Sequence, residues 1–159
     1  MLKKLSSKNS PSAHKAGGYF AIVASRYNTK YVDSMLKAAH AELKRAGVDG
    51  VEIIRVPGAF EIPVVAAALS RRLTPRVSAI LCLGVILRGA TSHAQHVGES
   101  VSQALLSIQM HTLIPVIHEV LLLENEQQAK ERCLDPQRNR GLEAAQTALT
   151  MAKVMLSVS

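Results

Sequence analysis

This sequence predicts an α/β protein: a three-layer sandwich in which a four-stranded parallel sheet lies between two layers of helices. Two observations carry that prediction. Four short apolar runs lack the clean alternation of a half-exposed strand: YFAIVAS (19–25), VEIIRVP (51–57), VSAILCLGVIL (77–87) and PVIHEVLLL (115–123). Between them, apolar residues recur at helical spacing. Strand runs of this kind, separated by helices, belong to a parallel sheet whose crossover helices cover both faces.

The elements follow in the order βαβαβαβαα. Residues 1–18 (MLKKLSSKNSPSAHKAGG) are polar, rich in Ser and Lys and broken by Pro11, Gly17 and Gly18. They read as a flexible tail ahead of a single domain at 19–159. After the first strand, Val32, Met35, Leu36, Ala39, Leu43 and Ala46 mark one face of a helix that Gly47 stops. The second helix, after Gly58, turns Ile62, Val65, Ala66, Leu69 and Leu73 inward. Pro63 is tolerable there only in the first turn, where its missing N–H has no helical partner to lose. Val97, Val101, Ala104, Leu105 and Ile108 give the third helix, with Thr91 or Ser92 as its cap. Asn125 suits the N-cap of a short helix to about Cys133, and after LDPQRNRG a last helix runs from about Leu142 to Met155.

Composition narrows the function classes. A chain of 159 residues with 48% apolar content can build one proper core. No apolar run reaches the ~20 residues of a membrane span, so no membrane partner is expected. The formal charge of +7 suggests nucleic acid, but its distribution argues otherwise. Four of the 19 basic residues, Lys3, Lys4, Lys8 and Lys15, lie in the first 20 residues, leaving 15 against 12 acidic ones. With 3% aromatics and no basic stripe, the stacking platforms of a nucleic-acid binder are missing. Cys82 and Cys133 form no CxxC pair and read as free thiols in a reducing compartment. The N-terminus has charge without an apolar signal core, and a cytoplasmic enzyme or binding protein is expected.

In an open parallel sheet the ligand lies beyond the carboxyl ends of the strands. Four polar segments meet there: SRYN, PGAFE, RGATSH and LEN. Within RGATSH, Gly89 permits a tight turn, and the amides of Ala90, Thr91 and Ser92 lead into a helix N-terminus. Free N–H groups and the helix dipole make such a turn receptive to an anion. Thr91 adds a hydroxyl, and His93 stands in the first helical turn, where the dipole favours its neutral form and suits it to proton transfer. A capped turn with an incidental histidine explains the same residues. The guanidinium forks of Arg132 and Arg140 suit phosphate, with Glu143 near enough to hold one of them. Each alone reads first as a surface charge. Tyr27 offers a face to a ring ligand or to ordinary packing. Glu61 is either a ligand carboxylate or an acid complementing a helix dipole.

No metal constellation is present, because His93 and His96 lack a third ligand. GxGxxG, Walker and GxSxG signatures are absent as well.

Taken together, SRYN, VPGAFEIP, LGVILRGATSH, PVIHEVLLLENEQQAKERC and NRGLEAAQTALTM, in this order and spacing, resemble the lumazine synthase family over roughly residues 19–153. The resemblance implies a flavodoxin-like fold and the penultimate step of riboflavin synthesis. In that step 5-amino-6-(D-ribitylamino)uracil condenses with 3,4-dihydroxy-2-butanone 4-phosphate, with no cofactor. By resemblance, Tyr27 stacks on the pyrimidine, with Asn28 beside it. Ala59, Phe60 and Glu61 contact the ribityl chain, and the backbone of Ile86 and Leu87 reads the pyrimidine edge. Gly89, Ala90 and Thr91 form the phosphate-side loop, and His93 transfers protons. Arg132 binds phosphate from a neighbouring subunit, Glu143 lies beside it, and Arg140 stands where a lysine is usual. His118 occupies a position on the fourth strand that is commonly Phe against the ligand ring. Its other reading is a neutral, hydrogen-bonded core histidine. After His93 the family often has an aromatic and an acid, where this chain has Ala94 and Gln95. The family also implies a homo-oligomer built from pentamers with shared sites, and riboflavin synthase as a candidate partner. Two other classes share the architecture: a flavodoxin-like flavin carrier, which would need a glycine-bearing phosphate loop after the first strand, and a non-catalytic shell protein.

Overall fold

A computed structural model describes residues 14–159, with four strands: β1 (Tyr19–Ser25), β2 (Gly50–Val56), β3 (Ala79–Leu87) and β4 (Val116–Leu123). They form one parallel sheet in the order β2-β1-β3-β4. The helices are α1 (Thr29–Arg45), α2 (Ile62–Arg71), α3 (His93–Thr112), α4 (Glu126–Ala129) and α5 (Arg140–Val158). A 3-10 turn (Ala59–Glu61) precedes α2, and a π turn (Lys130–Leu134) continues α4. The expected three-layer α/β arrangement is therefore the observed one.

Alternate residues of β1 feed opposite faces of the sheet. Phe20, Ile22 and Ala24 join Val32, Met35, Ala39 and Leu43 of α1 and Ala144, Ala145 and Ala148 of α5. On the other face, Ala21 and Val23 join Ile62, Ala66 and Leu69 of α2 and Val101 and Leu105 of α3. Both β1 and β3 are buried on two faces and hydrogen-bonded on two edges. That explains why their sequences are continuously apolar.

The expected flexible segment at 1–18 lies outside the described residues as far as residue 13. Its last three residues are fastened: the N–H groups of Ala16, Gly17 and Gly18 reach Ala46 O at 2.9 Å, Gly47 O at 3.2 Å and Asp49 Oδ2 at 2.8 Å. Gly17 and Gly18, with φ of 66° and 81°, allow this path along the α1–β2 turn.

Two further expectations are corrected. The helix expected from Leu142 begins at Arg140, because the Asn139 side chain accepts the Gly141 N–H at 2.8 Å and caps it. The helix expected from Asn125 to Cys133 is α-helical only to Ala129. There the Asp135 N–H reaches back to Lys130 O at 3.2 Å, the five-residue span of a π turn.

Asn139 also ties α5 to α1. Its amide donates to Cys133 O at 2.8 Å and to Ser34 Oγ at 3.2 Å, while the Ser34 hydroxyl donates to Cys133 O at 2.6 Å. The two helices meet most closely at Gly141, where a Cβ would stand 2.0 Å from Met35 O. Backbone cannot yield there as a side chain would. Gly141→Ala is expected to destabilise the protein by at least the ~1–3 kcal/mol of ordinary overpacking. Gly89→Ala, whose Cβ meets nothing within 4 Å, should stay within about 0.5 kcal/mol of wild type. Urea denaturation of both variants checks the contrast.

Candidate active site

At the carboxyl ends of the strands the polar segments are held by backbone bonds that extend the sheet. Arg26 N–H and Tyr27 N–H bond Val56 O at 2.8 Å and Pro57 O at 3.1 Å, fixing SRYN beside the β2 end. Those amides are therefore spent, and this turn has no glycine loop with which to cradle a flavin phosphate. Arg55 closes the same corner, donating to Ala24 O and Ser25 O and pairing with Asp33 of α1 at 2.7 Å. Asn28 adopts the left-handed conformation (φ 58°), which asparagine tolerates. Its carbonyl accepts the Tyr31 and Val32 N–H groups that start α1, and its side chain donates to Val85 O at 2.7 Å. One residue thus locks the β1–α1 turn to the end of β3. Between β2 and α2, the Glu61 carboxylate accepts the Gly58 N–H at 3.0 Å, so it acts at least as a local cap.

These corners enclose a cleft of about 520 Å³ lined by Tyr27, Asn28, Ala59, Phe60, Glu61, Ile86, Leu87, Gly89, Thr91 and His93. Its size suits a small organic ligand. Tyr27 is 75% and Phe60 65% exposed, far more than large rings buried for packing would be. Ala90 is exposed on the same loop. At its far side the N–H groups of Gly89, Ala90, Thr91 and Ser92 find no acceptor among the described residues. The expected cap is weak: Ser92 makes no side-chain cap bond, and Thr91 Oγ1 accepts His93 N–H only at 3.4 Å. Unpaired amides at the start of the 20-residue α3 are what an anion site requires.

Besides Ala90, which lies on the bordering loop, four expected site residues do not line this cleft: Arg132, Arg140, Glu143 and His118. Arg132 projects from the exposed side of the π turn. Arg140, at the start of α5, donates to both oxygens of Glu119 at 3.1 and 3.2 Å and to Glu143 at 3.0 Å. Glu119, 7% exposed on β4, was not expected from the sequence. Burial pushes its carboxyl above the usual range, while Arg140 pulls the other way. A carboxylate within an apolar strand was the available signal for it. Another hollow, about 390 Å³, lies at the amino-terminal ends of the strands and has Phe20, Val77, Leu149 and Met155 in its lining. Arg76, Ser78, Lys153 and Ser159 also line it, but none of the expected site residues does. Among the described residues, no three His, Cys, Asp or Glu side chains gather as a metal site.

His118, on β4, is neither a core residue nor part of its own chain's cleft. It sits on the exposed edge strand, where Nδ1 accepts the Val120 N–H at 3.1 Å. That assigns the proton to Nε2, which donates to Ser102 Oγ of α3 at 2.7 Å. Ser102 is hence not activated as a nucleophile by this ring.

An open parallel α/β sheet with a ring-sized cleft and an anion-receptive turn at its carboxyl edge defines a small-molecule site of the doubly wound class. The family is specific: the sequence profile described as 6,7-dimethyl-8-ribityllumazine synthase matches residues 17–156, and the chain belongs to that family. It is similar to the 6,7-dimethyl-8-ribityllumazine synthases of Xylella fastidiosa strains M12, M23 and Temecula1. Each is 38% identical over 142 residues, covering 88% of this chain and 91% of the relative.

Desolvation lowers the His118 pKa from the ordinary 6.5, so folding favours the neutral ring. Its contribution is complete above the unfolded-state pKa and is lost as pH falls through the lower folded value. Protonation at Nδ1 would break the Val120 bond. Between about pH 7.5 and 5.5 the urea midpoint of wild type should therefore fall more than that of His118→Phe. Equal falls would remove His118 from the acid response.

Proposed function

We propose that this chain is a transferase of riboflavin biosynthesis, condensing 5-amino-6-(D-ribitylamino)uracil with 3,4-dihydroxy-2-butanone 4-phosphate to give 6,7-dimethyl-8-ribityllumazine. The observation that carries this reading is the convergence on one cleft of an exposed aromatic face, a carboxylate and a set of free amides. They suit, in turn, a planar ring, a polyol and a phosphate. Family membership and the names of the relatives support the same reaction.

The roles are those that the family resemblance implies for these residues. Tyr27 stacks on the pyrimidine, Asn28 and the Ile86–Leu87 backbone border its edge, and Ala59, Phe60 and Glu61 line the ribityl chain. Gly89, Ala90 and Thr91 receive the phosphate. The uracil's amine attacks the ketone to form a Schiff base with loss of one water, phosphate is eliminated, and ring closure follows with loss of a second water. His93 moves protons in these steps. Holding two substrates in reactive geometry supplies most of the acceleration, and proton transfer the smaller share.

The reading extends to assembly. Arg132, His118, Arg140 and Glu143 complete the cleft of a neighbouring subunit in a homo-oligomer built from pentamers, acting in the cytoplasm with riboflavin synthase as a candidate partner. Support comes from the split just described: Arg132, exposed on the π turn and without a side-chain partner among the described residues, does not line its own chain's cleft. Glu119 and Glu143 engage Arg140 from two sides, which favours reading it as a support beside Arg132, the residue to which the family resemblance gives the phosphate.

Mixing both substrates with the protein and following lumazine absorbance and fluorescence tests the reaction directly. His93→Ala should slow turnover by roughly 10- to 1,000-fold without abolishing it; wild-type rates would remove its role. Arg132→Ala should weaken the phosphate-bearing substrate by about 10- to 150-fold, the worth of a charge-assisted bond, and the uracil far less. Reassembly of the two variants into mixed oligomers should restore part of the activity. No recovery in verified mixed oligomers would place the whole site within one chain.

A further inference from the structure

The phosphate-side turn has an unusual mechanical problem. Its four amides must be fixed in space to act together, yet none of them is fixed by an acceptor among the described residues. Gly89, with nothing within 4 Å of an added Cβ, supplies no packing restraint either. What holds the turn is the residue before it. The Arg88 N–H bonds Leu123 O at 2.9 Å, and its Nε donates to Glu124 Oε1 at 2.7 Å. Its Nη2 donates to the Gln95 side chain, whose amide donates in turn to Glu99. Glu124 is itself anchored, its N–H bonding Gln128 Oε1 at 2.9 Å. The chain Gln128–Glu124–Arg88–Gln95–Glu99 therefore runs from α4, across the ends of β4 and β3, to the first two turns of α3, with the turn 89–92 slung beneath it.

We infer that Arg88 is a positioning residue: its guanidinium, clamped between Glu124 and Gln95, sets the distance between the β3 end and the α3 N-terminus and so aligns the amides of residues 89–92 on the phosphate. This rests on the phosphate-side role given to that turn above. A planar fork reaching two acceptors in different directions is a task that a lysine ammonium on a flexible stem does poorly. Gln95 makes the arrangement possible, since its carbonyl accepts from Arg88 while its amide donates to Glu99. An acid at position 95 would pair with Arg88 but repel Glu99.

The test is a double-mutant cycle on Arg88→Ala, Glu124→Ala and the pair, with Arg88→Lys as the conservative variant. Misplacement of a binding group by about an ångström costs up to ~100-fold. Each single substitution should therefore raise KM for the butanone phosphate by about 10- to 100-fold, leave KM for the uracil within about 2-fold, and leave Tm nearly unchanged, since exposed ion pairs contribute little to stability. The pair should be no worse than Arg88→Ala alone, and Arg88→Lys should recover only part of the loss. Additive effects, or a severe Arg88→Ala beside a mild Glu124→Ala, would mean that Arg88 touches substrate itself and would overturn the inference. So would an unchanged KM for the phosphate. An inert wild type would strike the proposed reaction, not the clamp. Titration with inorganic phosphate followed by 31P NMR decides the clamp in either case: at least about 10-fold weaker binding to Arg88→Ala is expected, and equal affinity overturns it.

Discussion

The constraint on which the structure depends is the double burial of β1 and β3. A strand paired on both edges and covered on both faces has every backbone group committed and no surface on which to keep a polar side chain. Residues Phe20 to Ala24 and Ala79 to Leu83 are accordingly apolar and almost wholly inaccessible. Chemistry is displaced to the points where the pairing ends. That is why Asn28, Glu61 and His93 stand in the turns beyond the strand ends, of which the one carrying Asn28 is hydrogen-bonded back to the sheet. The two outer strands, each free along one edge, are the ones that carry charged side chains: Glu52 and Arg55 on β2, and on β4 Glu119, directed to α5, beside His118, directed to α3.

Much of this was legible because burial imposes a period. The four apolar runs gave the strands to within two residues, and the recurring Val, Leu and Ala gave the helices. The cleft was legible for a related reason: open sheets keep ligands at carboxyl ends, and the polar residues there exceed what turning needs. Function was read from the combination of segments, since none of Tyr27, Glu61 or His93 excludes an ordinary structural role alone.

What escaped the sequence depends on partners distant along the chain. Glu119 is kept in an apolar strand by Arg140, 21 residues later, and no local pattern announces such a pair. Arg88 and Glu124 are 36 residues apart and meet only because β3 and β4 run in register. The fastening of Ala16 to Gly18 was hidden because a glycine-rich, polar segment reads alike whether it is loose or laid along a turn. Helix limits near Arg140 and Ala129 were missed because caps and extra turns are decided by one or two hydrogen bonds.

The π turn at Lys130–Leu134 has a geometric meaning beyond its short length. The segment between the Asn125 cap and the Asn139–Gly141 joint is pinned at both ends, by the Gln128 N–H at one and by α1 at the other. A chain pinned at both ends with a wider turn between them holds one residue more than a regular helix would use. Removing that surplus would rewind the turn as α-helix and swing the side chains of the turn after the deletion by roughly 100°, the angular step of one helical residue. Arg132 would then point along a different side of the helix while both anchors stayed in place. The azimuth of that guanidinium is thus written in residue count, as a tooth's angle is fixed by its number on a gear.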